Sequence, residues 1–459
     1  MSAIPIVCMV FLLGIGCGIY KLEPAPMMIV SAFVAGVIAW RHGFTWKDMQ
    51  TGVIQKIADA MPAILILWSV GFLIGSWMFC GTVPMIIYYG VQIVNPKFVL
   101  VTAFFITAIV STVTGTSWGS AGTVGVALMG IAGGLGVSLP ATAGSVVAGA
   151  YFGDKISPLS DTTNLAPIAA GSELYEHIRH MFYTTIPAML VALTVYTIVG
   201  LSAHGSVATP ETVEALLDEL RQMFNLNLLL LLPVVIIITG SLKKWPTIPT
   251  MLGTSLFSVF LGLLIQGFSV RDGITSLVEG FNVFMTGYEG SVSDDVTSLI
   301  NRGGVMSVTK TTVLIFSAMG FAGIMSKSGM LETVLSAMMS RVKRTSGVIL
   351  STIASTVTTA FITGSSYLSI LLPGELFKET YPKRGLHPKN LSRTLEDSGT
   401  VVVPLIPWSA AGAFMAVTLG VETVAYLPWA VLNYTGILFA ILLAYTGIGI
   451  ARIEGEDSS

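Results

Sequence analysis

The chain has little charge. Asp, Glu, Lys and Arg make up 10% of its 459 residues, against about 25% in an ordinary soluble domain. Net charge is −2 at pH 7, which excludes a basic field for nucleic acid and an acidic one for basic partners. Cysteine is scarce, and Cys8, Cys17 and Cys80 all sit in apolar runs. Neither a disulfide framework nor a thiolate metal cluster is available, so these thiols are read as packing residues. No H-E-x-x-H occurs, and no Ser–His pair stands in a catalytic context. Both absences speak against an enzyme or a resident cofactor.

Apolar surface is what the chain has in excess. Hydrophobic residues reach 53% and mean hydropathy is +0.81. The reading is an all-α polytopic membrane protein with the lipid bilayer as its solvent. About twenty apolar residues cross a bilayer as a helix, and runs of that kind lie near 4–20, 25–40, 58–79, 174–201, 225–241, 247–267, 308–328 and 427–450. The first lacks a basic n-region and is followed at once by another, so it reads as a retained helix, not a cleaved signal. Segments 83–94 and 330–342 are too short to span and read as interfacial helices. Segment 202–224 reads as an external linker with a short helix at Pro210–Met223 capped by Thr209, and 451–459 as a tail.

Two apolar regions, 97–136 and 345–378, carry the same polar interruption: T-G-T-S-W-G-S at Thr114–Ser120 and T-G-S-S-Y-L-S at Thr363–Ser369. Each region is either two spanning helices or a re-entrant hairpin with the motif at its tip. The small polar residues favour the hairpin, because irregular backbone at membrane depth is tolerated only around a polar cavity. Gly115 and Gly364 permit the tight path. Thr116, Ser117, Thr363, Ser365 and Ser366 then contact an ion or substrate. Trp118 and Tyr367 either stack on a substrate or seal the tip. The Gly-rich run Gly119–Gly136 reads as close helix packing.

The next regions, 140–172 and 388–420, are broken by acid and proline. Read as a helix, Pro140–Gly153 is about 21 Å long, short of the ~30 Å hydrocarbon core. A surface turn at Asp154–Asp161 would leave both arms too short, whereas one helix unwound in mid-membrane spans. Ionisable groups at that depth mark ion pathways. Asp154 and Asp161 supply negative charge for a cation, while Ser157, Thr162, Thr163, Asn164 and freed carbonyls supply the oxygens that hard cations prefer. Lys155 either neutralises one Asp or snorkels. In the second region Asp397 is the counterpart of Asp154, and Glu396 reads as facing water. Pro404 and Pro407 free further carbonyls. His177 and His180 have no companion ligands and read as interfacial.

Gly71, Gly81 and Gly115 match Gly320, Gly329 and Gly364 at near-constant spacing. The expected organisation is therefore two five-helix repeats, 1–201 (hairpin 97–136, broken helix 140–172) and 225–450 (hairpin 345–378, broken helix 388–420). An odd number of crossings inverts the second copy. With both termini cytoplasmic, Arg41, Lys47, Lys56, Arg179, Lys243, Lys244, Lys327, Arg341, Lys343, Arg344 and the basic run Lys378–Arg393 lie inside. Lys21, Lys97, Arg221, Arg271 and Arg302 lie outside, which is the usual bias.

These motifs, with L-P-G-E at 372–375, K-N-L-S-R-T-L-E-D-S-G-T at 389–400 and P-L-I-P-W-S at 404–409, resemble the NhaC family of sodium/proton antiporters. The likeness extends through G-A-Y-F-G-D-K-I-S-P-L-S-D-T-T-N at 149–164 and covers almost the whole chain. It implies a bacterial-type cytoplasmic membrane, sodium as coupling ion, and a plan in which hairpin tips meet broken helices. It implies one sodium near Thr116, Ser117, Asp154 and Ser157 and a second near Ser365, Ser366, Asp397 and Thr400. Related architectures often form homodimers.

The expected function is sodium-coupled secondary transport with proton exchange. The alternative is a sodium-coupled carrier of a small organic carboxylate or amino acid, for which the hydroxyls and the two aromatics are suited. A channel is remote, because two inverted half-sites fit a ring of like ligands poorly.

Overall fold

The computed structural model describes residues 2–20, 22–202, 210–339 and 344–453. The linker before Pro210 with its Thr209 cap, Lys21, Arg341, Lys343 and the tail beyond Ile453 lie outside the described residues. Among the described residues the only β feature is an isolated Leu386–Arg452 bridge. Seven helices are long and apolar enough to cross a bilayer, or up to ten if each bent pair is one span. Phe11, Phe33, Ile109, Leu190 and Phe260 stand exposed, while Asp154, Lys155, Arg393, Glu396 and Asp397 are buried. An apolar exterior around a polar interior suits lipid, and the chain is an all-α polytopic membrane protein.

Helices α1 (Ile4–Leu13) and α2 (Pro24–Arg41) lead into α3 (Trp46–Cys80), opened by a Thr45–Asp48 capping box. At 35 residues α3 is about 52 Å long. It starts well before the expected residue 58, because its polar first turns continue the same helix. Next come α4 (Thr82–Ile93), α5 (Val99–Thr114), α6 (Ser117–Ser120) and α7 (Val126–Gly134), with α6 and α7 joined by a π-helical stretch. The short α4 is packed into the fold: Ile87 and Val91 lie over Gly130 and Gly134 of α7, the close packing expected of that glycine run. Helices α8 (Leu139–Ile156), α9 (Asp161–Ala170) and α10 (Leu174–Ser202) follow.

After α11 (Pro210–Met223) come α12 (Leu232–Leu242), α13 (Thr247–Leu261), and the short α14 (Val270–Val278) and α15 (Asp294–Ile300). The chain continues through α16 (Thr309–Lys327), α17 (Met330–Met339), α18 (Thr345–Thr363), α19 (Ser366–Phe377), α20 (Pro388–Gly399) and α21 (Ala410–Leu419). It closes with α22 (Thr423–Tyr426) and α23 (Val431–Thr446). The expected span from 427 begins only at Val431, because the proline-containing stretch Thr423–Trp429 is bent by 56° from α23.

Helices α3 and α16 pack on each other, while α2 packs on α16 and α13 on α3. Gly52 and Gly323 face each other where α3 and α16 come closest. A second close seam sets the site. Gly149 of α8 rests on Phe104 and Thr107 of α5, and Gly153 rests on Ala108 and Ser111. This four-residue glycine spacing brings two backbones together, and Ser111 Oγ donates to the Ala150 carbonyl at 2.6 Å. The C-terminal end of α8 is thereby held beside the end of α5.

Candidate functional site

Both T-G-x-S motifs fold the same way. Gly115 (φ 70°) and Gly364 (φ 60°) end α5 and α18 in the left-handed region, where a side chain costs most. Their N–H groups donate to the Ser111 and Ala360 carbonyls at 2.7 and 2.8 Å. The next residue is extended and caps the following helix. Thr116 Oγ1 accepts from Gly119 N–H at 3.2 Å, and Ser365 Oγ accepts from Leu368 N–H at 3.4 Å.

The breaks differ. The first is short: α8 runs through Ile156 and α9 starts at Asp161, so only Ser157–Ser160 is unwound. Asp154 and Lys155 occupy the last helical turn, not the unwound stretch expected from Asp154 onward. Proline-containing 157–160 is held without helical hydrogen bonds by side chains. Ser157 Oγ donates to the Thr112 carbonyl at 2.7 Å. Asn164 Nδ2 donates to the Pro158 and Ser160 carbonyls at 2.9 and 2.7 Å. The second break runs from Thr400 to Ser409 and contains both prolines. Ser409 Oγ closes it, donating to the Val403 carbonyl at 2.7 Å.

Each tip presses on a break. A side chain on Gly115 would strike Leu159, and one on Gly364 would meet Ser409 Cα at 3.1 Å. Between the two tips lies a cavity of about 730 Å³. Thr116, Ser117, Trp118, Asp154, Asp161 and Thr162 line one side, with Thr363, Ser365, Ser366, Tyr367 and Thr400 from the other tip and break. It extends past α3 to Lys56 and Asp59, and to Ser241, Trp245 and Thr247 at the α12–α13 turn.

Asp154 is the buried carboxylate on this cavity, and Ser117 Oγ donates to its Oδ2 at 2.8 Å. Asp161 is exposed within the cavity and takes a hydrogen bond from Tyr367 OH at 3.3 Å, which links the second tip to the first break. Trp118 stacks on Phe414 at 4.4 Å, so one of its faces is already covered. Ser157 and Asn164 do not line the cavity and are occupied in bracing the first break.

Asp397 is not on the cavity either. It is fully buried and forms an ion pair with Lys155, while Thr184 Oγ1 donates to it at 3.0 Å. Lys155 therefore neutralises the carboxylate before the second break, not its neighbour Asp154. Ser365, Ser366 and Thr400 remain on the cavity without Asp397 beside them. His177 and His180 are buried, not interfacial. They reach Ser392 Oγ at 2.9 Å and Asn390 Oδ1 at 3.1 Å, fastening α10 to α20. Glu396, expected to face water, is fully buried and accepts from Thr162 Oγ1 at 3.2 Å. Sequence reasoning missed it because a Glu beside an Asp near a basic loop reads as solvated. The signal was its place in the first residues before a mid-membrane break.

A buried carboxylate among hydroxyls and helix ends can hold a hard monovalent cation or a proton. Among the described residues no three His, Cys, Asp or Glu side chains converge as a divalent-metal site would need. Polar helix breaks around a cavity inside an all-helical membrane scaffold define a secondary transporter. The sequence profile of the Na+/H+ antiporter family matches residues 149–448. An uncharacterized Na+/H+ antiporter of Haemophilus influenzae is 50% identical, with 98% of this chain and 96% of the relative covered. The Na+/H+ antiporter NhaC of Alkalihalophilus pseudofirmus is 36% identical over 95% and 92% of the two chains. The malate-2H+/Na+-lactate antiporter of Bacillus subtilis is 35% identical over 92% and 88%. The chain belongs to the Na+/H+ antiporter family, and within it to the NhaC type.

Proposed function

We propose that this protein exchanges sodium for protons across the cytoplasmic membrane by alternating access. The observation that carries this is Asp154, a buried carboxylate held by the Ser117 hydroxyl on the wall of a polar cavity. Sodium binds there with Ser117 and Thr116 oxygens, or a proton takes its place. Mutual exclusion at one carboxylate is what couples the two fluxes. The hydroxyls of Ser365, Ser366 and Thr400 provide a second contact surface across the cavity.

The proposed frame is two inverted five-helix repeats, 1–201 and 225–450, with 97–136 and 345–378 as re-entrant hairpins. The crossed packing of α2 on α16 and α13 on α3 supports it. With the N-terminus cytoplasmic, the cavity leads to the Lys56 and Lys243–Lys244 side, so this conformation faces inward. A homodimer is the assembly the resemblance suggests, and the mass of the detergent-solubilised protein tests it.

In proteoliposomes an imposed sodium gradient should drive a proton flux read by an entrapped pH dye, and Asp154→Asn should abolish it. Undiminished flux in that variant rejects Asp154 as the shared site.

The cavity volume favours a second reading. About 730 Å³ is far more than an ion needs and falls within the roughly 300–1,000 Å³ of small-molecule sites. A sodium-coupled carrier of a small carboxylate or amino acid would use the tip hydroxyls and Tyr367. It requires a carboxylate that raises the melting temperature only when sodium is present.

A further inference from the structure

The geometry points to Glu396 as a proton-carrying carboxylate separate from the sodium-facing Asp154, an inference that rests on the antiport reading above. Glu396 has no exposed surface. Its Oε1 accepts from Thr162 Oγ1 at 3.2 Å, and its Oε2 has no hydrogen-bond partner among the described residues. One helical turn further on, the buried Thr400 hydroxyl is also unpartnered. Thr162 and Thr400 both line the cavity, so Glu396 stands directly behind its wall, with the Thr162 hydroxyl bonded to it and the Thr400 hydroxyl one turn along its own helix.

The surrounding charges leave Glu396 without a counter-ion. Asp154 and Lys155 of α8 are its charged neighbours across the helix interface. Lys155 is committed to Asp397. On its own helix, the Arg393 guanidinium donates to the Gly449 carbonyl at 2.9 Å. The α10 histidines, His177 and His180, are taken up by Ser392 and Asn390. On α9, Asp161 turns to Tyr367 of α19. The carboxylate of α19 is Glu375, and α18 supplies only hydroxyls, Thr352 and Thr356 among them. An ionised carboxylate held by one neutral donor in so dry a place is costly, and a proton or a cation has to accompany it.

A proton on Oε2 gives Glu396 a donor that the Thr400 hydroxyl can accept. Proton loss restores a negative charge near Asp154, which strengthens the hold of the site on sodium. Sodium arriving at Asp154 in turn makes the deprotonated Glu396 easier to keep. Glu396 thus relays the proton that sodium displaces from Asp154, and the two carboxylates communicate through charge.

The test compares two fluxes in proteoliposomes of the full chain: isotopic sodium–sodium exchange and sodium-driven proton movement. Glu396→Gln keeps the shape of the protonated side chain. It should retain sodium–sodium exchange and lose proton movement, whereas Asp154→Asn should lose both. Glu396→Asp, which keeps the carboxyl group, should regain part of the proton flux. Proton movement at the wild-type rate in Glu396→Gln overturns the assignment. So does an equal loss of both fluxes in a variant that sodium still stabilises against heat. Absence of proton flux in the wild-type protein would instead refute the antiport reading itself.

Discussion

At the first break the chain reads Gly153-Asp154-Lys155, and at the matching place in the second it reads Glu396-Asp397-Ser398. The local folds are alike: a helix ends, a left-handed glycine in a neighbouring tip presses on the gap, and a capped helix resumes. The charges are not alike. The first carboxylate faces the cavity and takes the Ser117 hydroxyl. The second is buried against the lysine of the first. Matching local backbone therefore does not mean matching side-chain chemistry. The first break presents a carboxylate to the cavity, whereas the second presents hydroxyls and keeps its acidic groups behind the wall.

The comparison breaks most readily at the crossing charge pair. Lys155→Met leaves Asp397 buried without a counter-ion and should cost about 3–5 kcal/mol, seen as a large fall in melting temperature in detergent. Lys155→Met with Asp397→Leu should recover much of that loss. The next test separates the two aspartates. Sodium at a hundred times its dissociation constant stabilises a protein by about 2.7 kcal/mol. That increment should vanish in Asp154→Asn and persist in Asp397→Asn, whatever the baseline stability of each.

The tips should also differ. Gly115→Ala and Gly364→Ala each place a side chain at positive φ, at about 1–2 kcal/mol. Gly115→Ala additionally drives into the backbone at Leu159 and should melt lower of the two. The smallest effect is expected of Tyr367→Phe. It removes the hydrogen bond to Asp161 and should change stability by about 0.5–1.5 kcal/mol, with sodium–sodium exchange retained.

Much of this was legible in the sequence, because the signals are local. Glycine, a capping hydroxyl and an apolar run specify each tip, and helix length alone requires a break near Asp154. The partnerships were not legible. Neighbours in a helix point about 100° apart, so Asp154 and Lys155 serve different surfaces, as do Glu396 and Asp397. Which surface each one meets depends on helices hundreds of residues away. For the same reason, two histidines that looked interfacial turn out to clamp α10 to α20. The extent of unwinding was also overestimated, since Ser157 and Asn164 brace the four residues Ser157–Ser160 where the stretch Asp154–Asp161 looked irregular.

The Lys155–Asp397 contact has a mechanical consequence. It rivets the ends of the two interrupted helices where water cannot replace either partner, and pulling such ions apart is among the dearest local changes a protein can make. Any rearrangement that turns the cavity toward the opposite side of the membrane is therefore cheapest when both interrupted helices travel together. The sliding boundary then falls where they and their tips meet α3, α12 and α13.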